Sequence, residues 1–262
     1  HLLVKGGPGS GKTTISIIKA GRQVSMLRPG QKVLFLSFAR ATVARVIEAL
    51  EEHSQNAVQT KGHVEVDTYH AFFWRLLKTH GYLVGLPRWL DILTPQAEAI
   101  ALSTIRHEMG PTKKLSDAKK AEKHEREREE LQRLAIEEGK VCFDLFADLA
   151  AQILAGSVKI RKLVSSAFPV VILDEFQDTS AGQWLVVQQL GIDSTLIALA
   201  DEEQRIFDFI GADVERLNHF KERFNPGETD LRSENHRSAD TDISRFGNDL
   251  LRGKFSGTYR GM

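Results

Sequence analysis

Residues 6–13 read GGPGSGKT, a complete G-x-x-x-x-G-K-T. An apolar run, LLV at residues 2–4, precedes it, and the helical pattern TTISII follows at residues 13–18. A strand feeding a glycine-rich turn that opens a helix is the context in which this spacing carries chemistry. Gly7, Gly9 and Gly11 let the backbone amides turn inward around phosphates, with Gly6, Pro8 and Ser10 completing the loop, and the helix N-terminus adds partial positive charge. Lys12 is then the point charge for the β and γ oxygens of ATP. Thr13 offers a hydroxyl to Mg²⁺, a cation that prefers a few oxygen ligands together with nucleotide phosphate.

Working outward, short β-type runs recur at residues 33–35, 64–66, 170–173 and 195–199, with helical patterns after most of them. This order predicts an α/β fold, a largely parallel sheet flanked by helices. Val43, Val46, Ile47 and Leu50, at i, i+3, i+4 and i+7, give the segment after the second run one apolar helical face. The alternation stops between about residues 84 and 163, where an inserted all-helical subdomain is expected. Leu145, Leu149 and Ile153 form a stripe there, and EKHEREREE at residues 122–130 reads as a solvated helix face.

The chain has 262 residues, 42% hydrophobic and 27% charged, an ordinary globular composition. Lys plus Arg and Asp plus Glu number 35 each, so no overall field advertises a polyanion partner, and any nucleic-acid contact must come from a local groove. One cysteine, Cys142, forms neither an internal disulfide nor a cysteine-based zinc site. No apolar run approaches the roughly 20 residues needed to cross a bilayer. The expected setting is therefore reducing and cytoplasmic, without a membrane. The chain opens at His1 just before its first motif, which reads as a piece of something longer.

The second half of the site is VVILDEFQD at residues 170–178, a buried strand that ends in two acids. Asp174 is expected to hold Mg²⁺ and Glu175 to orient and deprotonate the attacking water. ATP hydrolysis is the chemistry these two segments predict together.

Five further stretches are similar to the UvrD/Rep group of superfamily 1 DNA helicases. DEFQDTS at residues 174–180 is characteristic of that group, FLSFARATVARV at 35–46 resembles its second segment, and VDTYHAFF at 66–73 resembles its TFHSF segment. LADEEQRIFDFIGA at 199–212 is similar to GDDDQSIYxFRGA, and LRSENHRS at 231–238 to LxxNYRS. WLDILTPQ and FDLFADL resemble stretches flanking the family's helical subdomain. The resemblance implies a RecA-like domain over residues 1–83 and 164–228, the insert at 84–163, and the start of a second motor domain at 229–262. It also implies movement on single-stranded DNA in the 3′ to 5′ direction, with accessory repair or recombination proteins as partners.

Residue by residue, Gln204 matches the glutamine that senses the γ-phosphate, and Arg237 matches an arginine that reaches it from the second motor domain, a contact worth about 10³ to 10⁵ in rate. Phe207 and Phe209 hold positions where bases stack, at roughly 1–3 kcal/mol each. Phe38, Arg40, Thr68, Tyr69 and His70 sit where the family touches the strand. The pattern also departs: Thr14 and His236 stand where an arginine and a tyrosine clasp adenine, Ile210 replaces the arginine of FRGA, and Arg40-Ala41 replaces an NK pair. His236 can still stack on a base; Thr14 cannot. The family's upstream glutamine segment and its last motifs fall outside the 262 residues, so slow hydrolysis and no processive unwinding are expected of them. A nucleotide-switched regulatory module without translocation is the alternative reading.

Overall fold

The computed structural model describes residues 1–7, 9–24, 26–53, 62–201 and 215–231, with positions 242, 246, 249, 258 and 259. It divides into two compact units, His1–Tyr69 with Arg161–Met262, and His70–Ile160. The second unit thus opens near residue 70, at the start of the helix Tyr69–His80, rather than at the 84 expected for the insert.

The first unit is built on six parallel strands: β1 (Leu2–Lys5), β2 (Val33–Ser37), β3 (Val64–Thr68), β6 (Val170–Leu173), β7 (Thr195–Ala200) and β8 (Gly227–Asp230). Their spatial order is β3-β2-β6-β7-β1-β8. Sheets of this kind are covered on both faces, so their central strands are continuous apolar runs. VLFLS of β2 and VVIL of β6 are buried at every position, and β7 at all but its first. One face carries Val4, Val33, Phe35, Val170, Ile172, Ile197 and Leu199 in a single core with Val46 of helix α1's successor α2 (Arg40–His53), α1 being Lys12–Val24. Val46 is buried and Val43 and Ile47 are half-buried, as the i, i+3, i+4 spacing requires; the side chain of Leu50 lies outside the described residues. The outer strand β8 pairs with β1 from Leu2↔Gly227 to Lys5↔Asp230 and so continues across the boundary expected at 228/229.

After β6 the chain makes a 3₁₀ turn, Phe176–Asp178, before a capped helix, Ala181–Asp193. Ser180 Oγ accepts from the Gln183 amide while Gln183 Oε1 accepts from the Ser180 amide, a reciprocal cap that fixes the start of the helix. At its far end a Cβ on Gly191 would fall 2.5 Å from the Phe224 ring and 2.8 Å from Leu196 Cδ1. Gly191→Val is therefore expected to cost about 1–3 kcal/mol by overpacking. A lower thermal midpoint checks this; an unchanged midpoint contradicts it.

In the second unit, α3 (Tyr69–His80) continues from Tyr69 of the first unit. It is followed by β4 (Asp91–Ile92), α4 (Pro95–Ala101), α5 (Ser103–Met109), α6 (Asp117–Glu138), β5 (Lys140–Val141), which pairs with β4, and α7 (Phe143–Gly156). The helix Val158–Ala167 crosses back into the first unit. In numerical order these last helices are α8 (Val158–Ala167), α9 (Ala181–Asp193) and α10 (Arg216–Phe224). Leu145 and Ile153 of the predicted stripe are buried, whereas Leu149 is half-buried and lines a small cavity of about 150 Å³. The charged run at 122–130 is mostly solvated, with one exception. Lys123 is buried, its ammonium donating to the Gly110 carbonyl (2.8 Å) and Thr112 Oγ1 (3.2 Å) at the end of α5. Unpaired carbonyls at a helix C-terminus attract a cation. Among the described residues no helix is long and apolar enough to cross a membrane.

Candidate nucleotide site

Strand β1 delivers the loop at its carboxyl end. The Gly6 amide donates to the Ala200 carbonyl of β7 (3.2 Å), the Ser10 amide to the Gly7 carbonyl (3.3 Å), and the Ile15 amide to the Gly11 carbonyl as α1 begins (2.9 Å). Gly9 and Gly11 take φ of 71° and 83°, the left-handed region that side chains avoid. At Gly6 the constraint is space, since a Cβ there would lie 2.5 Å from Ser10 Oγ. Ser10 Oγ is buried and makes no hydrogen bond among the described residues. Lys12 points its ammonium back into the loop, donating to the carbonyls of Gly6 and Gly7 (3.0 Å to the latter) and pairing with Asp201 Oδ2 at 3.4 Å. Thr13 is half-buried and its carbonyl accepts from Ser16 Oγ (2.7 Å), while Thr14 is exposed.

The acids sit at the carboxyl end of β6, one strand away from β1 because β7 lies between them. The Asp174 amide donates to the Leu36 carbonyl of β2 (2.9 Å), which continues the ladder past Leu173. Asp174 is buried, and Ser37 Oγ donates to its Oδ2 at 3.0 Å. Burial, and secondarily the charge of Glu175, push the Asp174 carboxyl up to about 6, against the opposing pull of the Ser37 hydroxyl, the Glu175 amide and Lys12. Glu175 departs from ordinary backbone, with φ 49° and ψ 43°. For a residue with a Cβ this conformation costs about 1–2 kcal/mol. The turn is held on both sides: Tyr69 donates its hydroxyl to the Asp174 carbonyl (3.4 Å), and the Asp178 amide donates to the Glu175 carbonyl (2.9 Å).

Three residues of this edge were not predicted from the sequence: Ser37, Gln177 and Asp201. The buried Gln177 donates through Nε2 to Glu175 Oε2 (2.8 Å) and Asp178 Oδ2 (3.3 Å), and its Oε1 accepts from the Asp201 amide (3.0 Å). Their shared signal is position: each lies at or just beyond the end of a central strand, where the carboxyl edge of a parallel sheet forms a site.

The expected strand-contact residues divide. Ser37 and Thr68 are register partners on β2 and β3, so Phe38, Arg40 and Thr68 emerge at neighbouring strand ends. Phe38 and Thr68 are half-buried and Arg40 is exposed. Tyr69 corrects the expectation: it is 0% exposed, with its ring 4.8 Å from that of Phe38 and its hydroxyl turned toward Asp174. Placed at the start of α3 against the end of β6, its ring serves packing rather than the surface. His70 is exposed, its ring edge-on to Phe143 at 5.8 Å. Pro8, Gln204, Phe207, Phe209, His236 and Arg237 lie outside the described residues. An open groove of about 490 Å³ lies elsewhere in the first unit, lined by Trp184, Leu185, Arg216 and His219 and by none of the loop residues.

A parallel sheet with a phosphate-type loop on one strand, paired acids on another and a third strand between them defines an α/β protein of the P-loop NTPase type. The model for the UvrD/REP helicase N-terminal domain matches residues 1–138 and 107–225. The chain belongs to the UvrD/REP helicase family. It is 25% identical to the ATP-dependent DNA helicase UvrD1 of Mycobacterium tuberculosis (strain ATCC 25618 / H37Rv), with 96% of this chain and 37% of the relative covered. DNA helicase II of Escherichia coli (strain K12) is 23% identical over 93% of this chain and 37% of its own length. The ATP-dependent DNA helicase PcrA of Bacillus subtilis (strain 168) is 22% identical over 96% and 37%. The chain thus spans about 37% of the length of these relatives.

Proposed function

We propose that this chain is the ATP-hydrolysing motor core of a cytoplasmic DNA translocase that moves 3′ to 5′ along single-stranded DNA. The observation that carries the reading is the gathering of Lys12, Asp174, Glu175 and Asp201 at one carboxyl edge of the sheet, with Lys12 only 3.4 Å from Asp201. The donor set fits Mg²⁺–ATP: a hydroxyl at Thr13, a carboxylate at Asp174 and the buried, unsatisfied Ser10 Oγ in the loop. Bound Mg²⁺ neutralises charge on the β and γ oxygens. Lys12 would leave the loop carbonyls to bind the same phosphates, Thr13 and Asp174 would hold the metal, and Glu175 would take the proton of the attacking water at its carboxylate. On this reading Gln204 and Arg237 act at the γ-phosphate, and Thr14 and His236 hold the positions assigned to adenine.

On this reading Phe38, Arg40, Thr68 and His70 each touch single-stranded DNA and Phe207 and Phe209 stack on its bases, while Tyr69 packs against Phe38. Residues 70–160 are the insert, helical except for the β4–β5 pair where an all-helical subdomain was expected, and the chain beyond β8 begins the second motor domain.

The test is ATP hydrolysis by the 262-residue chain with and without a single-stranded oligonucleotide, and with a blunt duplex of the same sequence. Hydrolysis that rises with the single strand more than with the duplex supports the motor reading. Hydrolysis indifferent to nucleic acid but raised by a protein partner replaces it with a nucleotide-switched regulatory module.

A further inference from the structure

The conversion of bound ATP needs the water-activating carboxylate to stand in one place while phosphates occupy the loop. Glu175 has little to hold it there by itself, since it is half-exposed and sits on a left-handed turn. Gln177, by contrast, is 2% exposed and uses both ends of its amide. Its nitrogen holds Glu175 Oε2 at 2.8 Å, and its oxygen holds the Asp201 amide at 3.0 Å. The Asp201 carboxylate is the partner of the Lys12 ammonium at 3.4 Å. A single side chain thereby joins the turn after β6 to the end of β7, and through Asp201 to the loop lysine.

We propose that Gln177 is the positioning residue of the hydrolytic site, setting the Glu175 carboxylate relative to Asp201 and Lys12 without itself touching nucleotide. The proposal rests on the reading of Glu175 as the water-activating base. A neutral amide suits the place better than any other residue of its size. It donates to carboxylates on one side and accepts from a backbone amide on the other, so every buried polar atom is used. A glutamate there keeps the acceptor for Asp201 but sets a third carboxylate against Glu175 and Asp178. A methionine keeps the volume and removes both functions. The two substitutions therefore separate the two ends of the amide.

The experiment follows Gln177→Glu, Gln177→Met, Glu175→Gln and the double variant Glu175→Gln/Gln177→Met in the 262-residue chain with single-stranded oligonucleotide. Single-turnover ATP hydrolysis, titration of a fluorescent ATP analogue, and hydrogen exchange of the Asp201 amide are measured. Displacement of a reacting group by an ångström costs about 10²-fold in rate, so each Gln177 variant is expected to lose roughly 10- to 100-fold in hydrolysis. Affinity for the analogue stays within about twofold, the pattern of a group acting in the transition state rather than in binding. Asp201 exchange accelerates in Gln177→Met and stays slow in Gln177→Glu, a readout that does not depend on turnover. The double variant falls no further than Glu175→Gln alone, because residues acting through one another are not additive.

Unchanged hydrolysis in both variants, a loss that adds fully onto Glu175→Gln, or a loss of nucleotide affinity as large as that of rate overturns the proposal. If one variant fails to fold, as its unfolding midpoint would reveal, the other decides. Wild-type hydrolysis by Glu175→Gln sinks the underlying reading of the base instead, and is recognised separately.

Discussion

Glu175→Gln is expected to lower ATP hydrolysis by about 10²- to 10⁴-fold, the usual worth of a general base, while nucleotide affinity remains near that of the parent. The substitution keeps the size of the side chain and retains an oxygen that can accept from Gln177 Nε2, now at 2.8 Å from Glu175 Oε2. What it removes is the ability to take a proton from water. Lys12→Ala is expected to behave in the opposite manner. Its ammonium donates to the loop carbonyls and pairs with Asp201, so nucleotide binding itself should weaken. Fluorescent-nucleotide titration alongside single-turnover phosphate release distinguishes the two, because only the second variant should lose the binding signal. A Glu175→Gln protein that hydrolyses ATP at the parental rate would remove Glu175 from the mechanism.

Asp174→Asn should make the protein more stable above pH 6 when neither Mg²⁺ nor nucleotide is present, although it disables the site. Burial and the neighbouring charge of Glu175 raise the Asp174 carboxyl from its ordinary 3.8 to about 6. A carboxyl whose folded value lies above its unfolded value leaves stability intact below the unfolded value. That stability is lost as pH rises through the folded value. The loss here begins near pH 4, is complete somewhat above pH 6, and amounts to about 3 kcal/mol at most. Asparagine carries no such charge and can still accept from Ser37. The variant's thermal midpoint should exceed the parent's at pH 7.5 and approach it at pH 4, with the response of nucleotide affinity to Mg²⁺ lost. A midpoint below the parent's at pH 7.5 would mean that charged Asp174 is well compensated by Lys12 and Ser37.

The sheet was legible in the sequence because its strands are buried on both faces. VLFLS and VVIL are unbroken apolar runs, and the residues at their ends are the ones a site can use. The phosphate loop was legible for a related reason: positive φ at Gly9 and Gly11 demands glycine, and glycine is visible in a sequence. Ser37, Gln177 and Asp201 were not. A single polar residue at a strand end has no periodicity to betray it, and only the strand order brings these three to one edge. Tyr69 and Lys123 misled for the converse reason. Tyrosine and lysine carry a long apolar body and a polar tip, so either can be buried once a partner for the tip is at hand. The Asp174 carbonyl lies 105 residues from Tyr69, and the end of α5 lies 13 residues before Lys123, beyond the reach of helical spacing. The second unit starts where α3 itself starts, and a strand-to-helix junction reads alike in sequence whether the helix stays with its sheet or leaves it.

The strand that separates β1 from β6 has a consequence of scale. Adjacent strands lie about 4.8 Å apart, so the phosphate loop and the paired acids are set roughly 10 Å from each other by β7 alone. On the proposed reading, that gap is a gauge. A triphosphate tail and a water molecule span it, whereas a diphosphate stops short of the acids. The difference between fuel and spent product would then be measured by the width of a β-strand, before any side chain has recognised the base.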